Sequence, residues 1–327
     1  MKEATLYKKL DKRVQCTACN HYCCPPEKTG KCVRKNIDGK LQLLVHNLAL
    51  VGIDPVEKKP LYHFYPKSKV FSFGTACNMS CDFCQNWAMS QISENKLLKL
   101  REMTPEFIID YCKNNEIKAI AYTYNEPTVF WEYAYDTMVL AKEAGLRNIF
   151  VSNGFFSKEM FEKMELVDAI NVDLKSFNPK FYDEICGARV EPVLENIKKL
   201  AASDIHLEIT TLIIPYNNSK EELENIANFL SDIDKEIPWH VSAFSKAYKM
   251  EYAPNTTIEN IKEASEIKKA GLKYVYAGNV VSLGLENTVC PECESILILR
   301  NGYNVDIIGL ENKCSECYKI KGSFDNL

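Results

Sequence analysis

The sequence predicts an α/β protein built on a mostly parallel sheet, with a cysteine-rich segment before the sheet and a second one after it. Three observations carry the prediction. From Val70 to about Val280 short apolar runs alternate with longer helical patterns, the mark of repeated strand–helix units. The 14 cysteines are concentrated in three compact groups. Two of those groups lie outside the strand–helix region, at Cys16–Cys32 and Cys290–Cys317.

The strands read as Val70–Thr75, Ala119–Tyr124, Arg147–Asn153, Ala169–Ser176, His206–Pro215 and Pro238–Ser245. Each is a near-continuous apolar run, as expected where both faces of a parallel sheet are covered. Tyr274–Val280 adds an expected edge strand. Between them, Leu223, Ile226, Ala227, Leu230 and Ile233 repeat at three- and four-residue steps, and Glu132, Asp136 and Glu143 mark a polar helix face. Thr104-Pro105-Glu106 reads as an N-cap followed by proline at the first helical position, and Gly145 and Gly271 sit where helices should stop. Six units are too few for a closed eight-stranded barrel, so either a partial barrel or an open doubly wound sheet fits.

A chain of 327 residues, 46% hydrophobic, can bury a sizeable core. The N-terminus has no apolar stretch resembling a signal peptide, and no segment approaches about 20 apolar residues, so a cytoplasmic protein without a membrane span is expected. The net charge of −4 gives no broad basic field for nucleic acid. In a reducing compartment so many cysteines point to metal ligation or catalysis rather than disulfides.

Cys77, Cys81 and Cys84, spaced by three residues and then two, suit three corners of a cubane iron–sulfur cluster, with no fourth cysteine close behind. Ordinary electron-transfer clusters take four cysteines, so a three-thiolate site leaves one iron open for something other than protein. Three structural or zinc-binding cysteines are the plainer alternative. Cys290-x-x-Cys293 and Cys314-x-x-Cys317 have the spacing of a structural zinc ribbon, with Ile296–Leu299 and Asn304–Ile308 as the hairpin between them. Rubredoxin-like iron would accept the same four thiolates. Near the N-terminus Cys16, Cys19, Cys23 and Cys32 form a set for zinc or for an auxiliary iron–sulfur cluster, leaving Cys24 surplus. Cys112 reads as a buried small hydrophobe in a helix, and Cys186 has no partner visible in sequence.

Parallel α/β folds bind ligands at the carboxyl ends of their strands. There stand Glu126, after the second strand, and Asn153-Gly154, after the third. After the fourth, Asp173 and Lys175 lie on one side of an extended chain because side chains repeat every two residues. A helix-terminal carboxylate, a common Asn-Gly turn and a structural ion pair are the plainer readings of these three. His240, on the sixth strand, reads equally well as a core residue.

The triplet, with Phe83 before its last cysteine, resembles that of the radical S-adenosylmethionine (SAM) enzymes. The N-terminal cysteines, the segment Asp54-Pro-Val-Glu-Lys-Lys-Pro-Leu-Tyr-His-Phe64, Tyr124-Asn-Glu-Pro127 and the final cysteine pairs together resemble the AmmeMemoRadiSam-system radical SAM proteins. These are similar in their core to pyruvate formate-lyase activating enzymes. The resemblance implies a partial (βα)6 barrel over residues 65–284, flanked by a cysteine-rich N-terminal segment (1–64) and a zinc-ribbon-like module (285–327). It implies a [4Fe–4S] cluster whose open iron takes the amino and carboxylate groups of SAM, and reductive cleavage to methionine and a 5′-deoxyadenosyl radical. Glu126 then stands where the family carries Gly-Gly-Glu, here replaced by Asn-Glu-Pro. Asn153, Asp173 and Lys175 fall on SAM-contacting motifs of activating enzymes, and His240 reaches towards adenosine.

The function expected is hydrogen abstraction, with a glycine of a partner protein as substrate if the activating-enzyme likeness extends that far. An electron donor such as ferredoxin or flavodoxin follows, and the family name brings Memo-family and AMMECR-family partners. The rival from another class is a non-catalytic zinc- or iron-binding scaffold that docks protein or nucleic acid.

Overall fold

Seven of the apolar runs lie side by side as parallel strands in the computed structural model, which describes residues 1–11, 13–25, 32–92, 97, 100–267, 271–280, 284–309 and 320–324. In chain order the sheet contains β1 (Leu48–Pro55), β2 (Lys69–Gly74), β3 (Arg101–Glu102), β4 (Ala119–Tyr122), β5 (Arg147–Ser152), β6 (Ala169–Asp173), β7 (His206–Ile213), β8 (Trp239–Ala243) and β9 (Val275–Gly278). Their spatial order is β9-β8-β7-β6-β5-β4-β2-β1-β3. From β2 to β9 every pairing is parallel, with Phe71 opposite Ile120 and Trp239 opposite Val275. The seventh parallel strand is thus the expected edge strand. β1 pairs antiparallel along the whole of β2, Leu50 opposite Gly74 through Pro55 opposite Lys69.

The helices form where their signals stand. Thr104 caps α1 (Pro105–Asn114) by accepting the Phe107 N–H, and Ser219 does the same for α4 (Lys220–Ile233) through Glu222. α2 (Trp131–Glu143) and α3 (Glu191–Ala201) complete the cover of the central strands, and Thr257 closes a capping box on α5 (Ile258–Glu266). Gly145 and Gly271 take the positive φ expected past helix ends. Cys112 is fully buried in α1, as read from sequence. The polar face expected on α2 holds only in part. Glu132 is 2% exposed and pairs with the equally buried Arg34, Nη2 to Oε2 at 2.7 Å, because the N-terminal segment covers that face.

This segment is itself β structure that the sequence reading did not foresee. Tyr7–Leu10 pairs with Arg13–Cys16, and Lys2–Glu3, Lys40–Leu43 and Arg34–Ile37 form a three-stranded sheet. The boundary expected at residue 64 falls inside a packed unit. Val56, Leu61 and Phe64 enter the sheet's concave side and meet Val70, Ala119, Ala121, Ile149 and Ala169, where three alanines leave the room they need. Asn171 donates to the Pro60 carbonyl at 2.8 Å and fixes this plug.

At the N-terminal ends of the strands Glu208 anchors the plug. Fully buried, it accepts from the backbone N–H groups of Tyr62 and His63 and from Nε2 of His206 and His240. The C-terminal hairpin, Ile296–Asn301 with Asn304–Ile307, matches the one expected between the last cysteine pairs. Its Arg300 donates to the Tyr62 carbonyl and lies 4.1 Å from the Tyr62 ring centre. Among the described residues no helix is long and apolar enough to cross a membrane.

Candidate active site

β2 ends at Gly74, and Ala76, at φ 55°, turns the chain into the loop that carries the cysteine triplet. Distant parts of the chain fix this loop. Cys77 N donates to the Ser90 carbonyl at 3.1 Å, Ser80 N to the Cys186 carbonyl at 2.9 Å and Asp82 N to the Ile185 carbonyl at 3.0 Å. Gln85 donates to the Ser245 carbonyl, Lys249 pairs with Asp82 at 2.8 Å, and Trp87 stacks on Tyr248. The loop therefore bridges from β2 to the segment beyond β8.

Cys77, Cys81 and Cys84 face a cavity of about 360 Å³ that Asn153, Asp173 and Lys175 also line. Ser242, at the end of β8, and Asn279, just past β9, close its far side. Seven parallel strands laid flat would put the outer two about 29 Å apart at ~4.8 Å per step. One small cavity cannot span that distance, so the sheet is rolled, and its end strands β9 and β3 stay unpaired with each other. The larger cleft of about 660 Å³ opens near the N-terminal strand ends, around Phe64, Arg147 and His206, and gathers no thiol.

Burial pushes the thiols of Cys77 and Cys84 above their ordinary range. For Cys81 a hydrogen bond with Cys186 leads and burial follows. Ligation of a metal by these groups would therefore release protons. Among the described residues no three His, Cys, Asp or Glu side chains converge tightly enough to hold a single ion. A cubane needs its thiolates spread over separate irons rather than gathered on one. Lys175 donates to Asp173 at 3.2 Å. Burial opposes its charge, but Asp173, Cys81 and Cys186 outweigh burial and hold the ammonium well above its usual range. Two further lining residues carry buried side-chain atoms without a partner among the described residues: Thr210 through Oγ1, and Asn125 through both Oδ1 and Nδ2. Buried polar atoms are nearly always hydrogen-bonded. These open ones, with the thiols and the Asp173–Lys175 pair, fit a cluster and a polar, zwitterionic ligand.

Asn153 is 5% exposed; its Nδ2 donates to Asn78 Oδ1 at 2.8 Å and lies 3.7 Å from Cys77 Sγ. Two expected SAM contacts stand elsewhere. Glu126 does not line the cavity. It is fully buried and accepts from Thr128 N and Oγ1, Ser152 Oγ and Asn153 N, which consumes its carboxylate inside the protein. His240 lies two residues below Ser242 on the same side of β8, one layer deeper, bonded to Glu208 at 2.7 Å. The period-two step that places His240 inside the sheet also points to Ser242, Thr210 and Leu212, which the sequence reading missed.

Cys186 joins the site through its bond to Cys81. At the N-terminus Cys23 is hydrogen-bonded to both Cys16 and Cys32, Cys19 is buried beside them, and Cys24 is exposed. This group abuts the active loop, since His21 Nε2 lies 3.0 Å from the Asn78 carbonyl. At the other end Cys290 is buried and Cys293 exposed, while Cys314 and Cys317 lie outside the described residues.

The chain carries a radical SAM domain, residues 71–230 matching the family model of the radical SAM superfamily. Such a domain implies an iron–sulfur cluster and SAM. The chain is similar along 98% of its length to 98% of an uncharacterized protein of Methanocaldococcus jannaschii, at 42% identity. A putative glycyl-radical enzyme activating enzyme of the same organism is 25% identical over 229 residues, 67% of this chain and 82% of that protein. The crystal structure of Streptococcus suis SuiB bound to precursor peptide SuiA shares the fold, with a TM-score of 0.51 at 15% identity, over 70% of this chain and 52% of SuiB.

Proposed function

We propose that Cys77, Cys81 and Cys84 ligate three irons of a [4Fe–4S] cluster and that the enzyme takes hydrogen from a glycine of a partner protein, as a glycyl-radical activating enzyme does. The observation that carries this reading is the meeting of three thiols, a carboxylate and an ammonium in one cavity at the C-terminal strand ends. When bound, cluster and SAM supply a 5′-deoxyadenosyl radical by reductive cleavage of SAM. The protein's part is position.

Asp173, held by Lys175, offers a carboxylate to the cationic and hydroxyl groups of SAM. Asn125 and Thr210 offer open hydrogen-bonding atoms. Asn153 braces Asn78 and Cys77, and Glu126 fixes Asn153 through its backbone N–H. Similarity to a putative activating enzyme supports a glycine as substrate. The likeness to AmmeMemoRadiSam proteins makes Memo-family and AMMECR-family proteins the partners to try first. Cys16, Cys19, Cys23 and Cys32, which do not converge on a single ion, bind an auxiliary cluster rather than zinc, Cys290 and Cys293 share a metal with Cys314 and Cys317, and ferredoxin or flavodoxin in the cytoplasm supplies the electron.

The test is direct. Anaerobically reconstituted protein given reductant and SAM yields 5′-deoxyadenosine. No product above a no-protein control would overturn the reading.

A further inference from the structure

The plug segment brings an unbalanced charge to the cavity. Asp54 accepts from Lys58 Nζ through Oδ1 at 2.8 Å and, through Oδ2, from Lys59 Nζ at 2.7 Å and the Tyr124 hydroxyl at 2.8 Å. One carboxylate thus faces two ammonium groups. Neighbouring Glu57 does not restore the balance, because its Oε1 is turned to the Lys67 N–H at 2.7 Å. Lys59 is the interior partner, its side chain 3% exposed and 4.8 Å from the Tyr124 ring centre. Lys58 is 49% exposed and lines the cavity. Lys58 keeps Asp54 Oδ1 as one acceptor, and its ammonium has two further N–H donors to offer another anion while Lys59 and Tyr124 hold Oδ2. The other lining lysine, Lys175, is matched by Asp173.

The protein accepts local costs to build this arrangement. Tyr124 holds φ 63°, a left-handed conformation that bulky residues rarely adopt and that clusters at functional sites. Its hydroxyl reaches Asp54 across Gly52 of β1, where a Cβ would stand 2.5 Å from that oxygen. A second observation points to a ligand in the same cavity: Thr210, 7% exposed, turns an unpartnered hydroxyl into it.

We infer that Lys58, steadied by Asp54, binds an anionic group of the substrate, so that the molecule entering this cavity carries a carboxylate or phosphate beside the hydrogen it yields. The inference rests on the proposed radical SAM site for the identity of the cavity. On a protein substrate the anion is an acidic or phosphorylated side chain next to the reacting glycine.

Calorimetric titration of reconstituted full-length protein with inorganic phosphate and, separately, with acetate tests this and separates the two anions. Saturable binding of at least one is expected, weakened about tenfold or more in Lys58→Met and kept within about threefold in Lys58→Arg, the loss appropriate to one charge-assisted hydrogen bond. Saturating SAM should leave the anion affinity unchanged. No saturable binding to the wild type, equal binding to Lys58→Met, or displacement of the anion by SAM would each overturn the inference. Absence of SAM binding by the wild type would instead count against the radical SAM site, and the anion titration would still report on Lys58. Unfolding temperatures of both variants check that Lys58 acts locally, and matching Lys58→Arg and wild-type binding excludes general damage.

Discussion

Glu126 separates two ways in which a carboxylate can serve this site. Its position in the chain suggests a direct grip on SAM, whereas its surroundings make it a brace. Glu126→Gln keeps the shape and replaces one acceptor oxygen with an NH2 group. If that group takes the Oε2 position it faces the Asn153 N–H, now 2.8 Å from the carboxylate, and leaves this buried donor unsatisfied. Losing one hydrogen bond to a charged acceptor costs about 1.5–3 kcal/mol. The urea midpoint of the variant should fall accordingly, with an unchanged denaturant slope. Asn153 supports Asn78 and Cys77, so SAM affinity should fall together with stability, by about tenfold for a loss of ~1.4 kcal/mol at the site. Equilibrium unfolding and SAM titration on the same preparations measure both. If SAM affinity collapses while the midpoint stays at the wild-type value, the carboxylate touches SAM and the brace assignment is wrong.

Glu132→Ala strands the Arg34 guanidinium, which is 1% exposed, and should cost about 3–5 kcal/mol, as breaking a buried pair does; an unchanged unfolding midpoint would show that the pair is dispensable. His63 is held neutral by burial, its pKa depressed to about 3. Below pH 6.5 the unfolded chain therefore binds a proton that the folded chain refuses, and stability falls with falling pH by up to about 1.4 kcal/mol per unit. Midpoints at pH 7, 6 and 5 should show this slope in the wild type and a flatter one in His63→Phe; the range stays above the region where Glu208, whose pKa is lowered by its histidine partners against the opposing effect of burial, begins to lose its charge. The Cys77, Cys81 and Cys84 triple alanine variant should lose about four irons per chain, one cubane's content; iron equal to wild type, counted anaerobically, would place the cluster elsewhere.

The parallel strands were legible because each is covered on both faces and reads as a buried, largely apolar run: the reading began β4, β5, β6 and β7 at Ala119, Arg147, Ala169 and His206, where they do begin. β1 was not legible. It carries Gly52 and Pro55, which argue against a strand, and Gly52 is there to admit the Tyr124 hydroxyl rather than to suit β geometry. The cysteine triplet and the Asp173–Lys175 pair, singled out by their spacing, line one cavity. His240 misled because period-two alternation tells which side of a strand a residue faces and nothing of its depth, so the bottom layer with Glu208 and the ligand layer with Ser242 look alike in sequence. Glu132 misled for a related reason: a helical pattern shows a polar face but not the Arg34 that a remote segment will lay against it.

The loop bearing the triplet rests on the carbonyls of Ile185 and Cys186, on Ser245 and on Lys249. Those residues leave the ribosome long after the cysteines. At about 5–20 residues per second the interval between Cys84 and Lys249 is roughly eight to thirty seconds. For that time the nascent chain carries three thiols without their full set of supports, since the Ser90 carbonyl follows at once, those of Ile185 and Cys186 part-way, and Ser245 and Lys249 last. A cluster held by these thiols as proposed would therefore find its complete protein support only once the sheet is nearly finished.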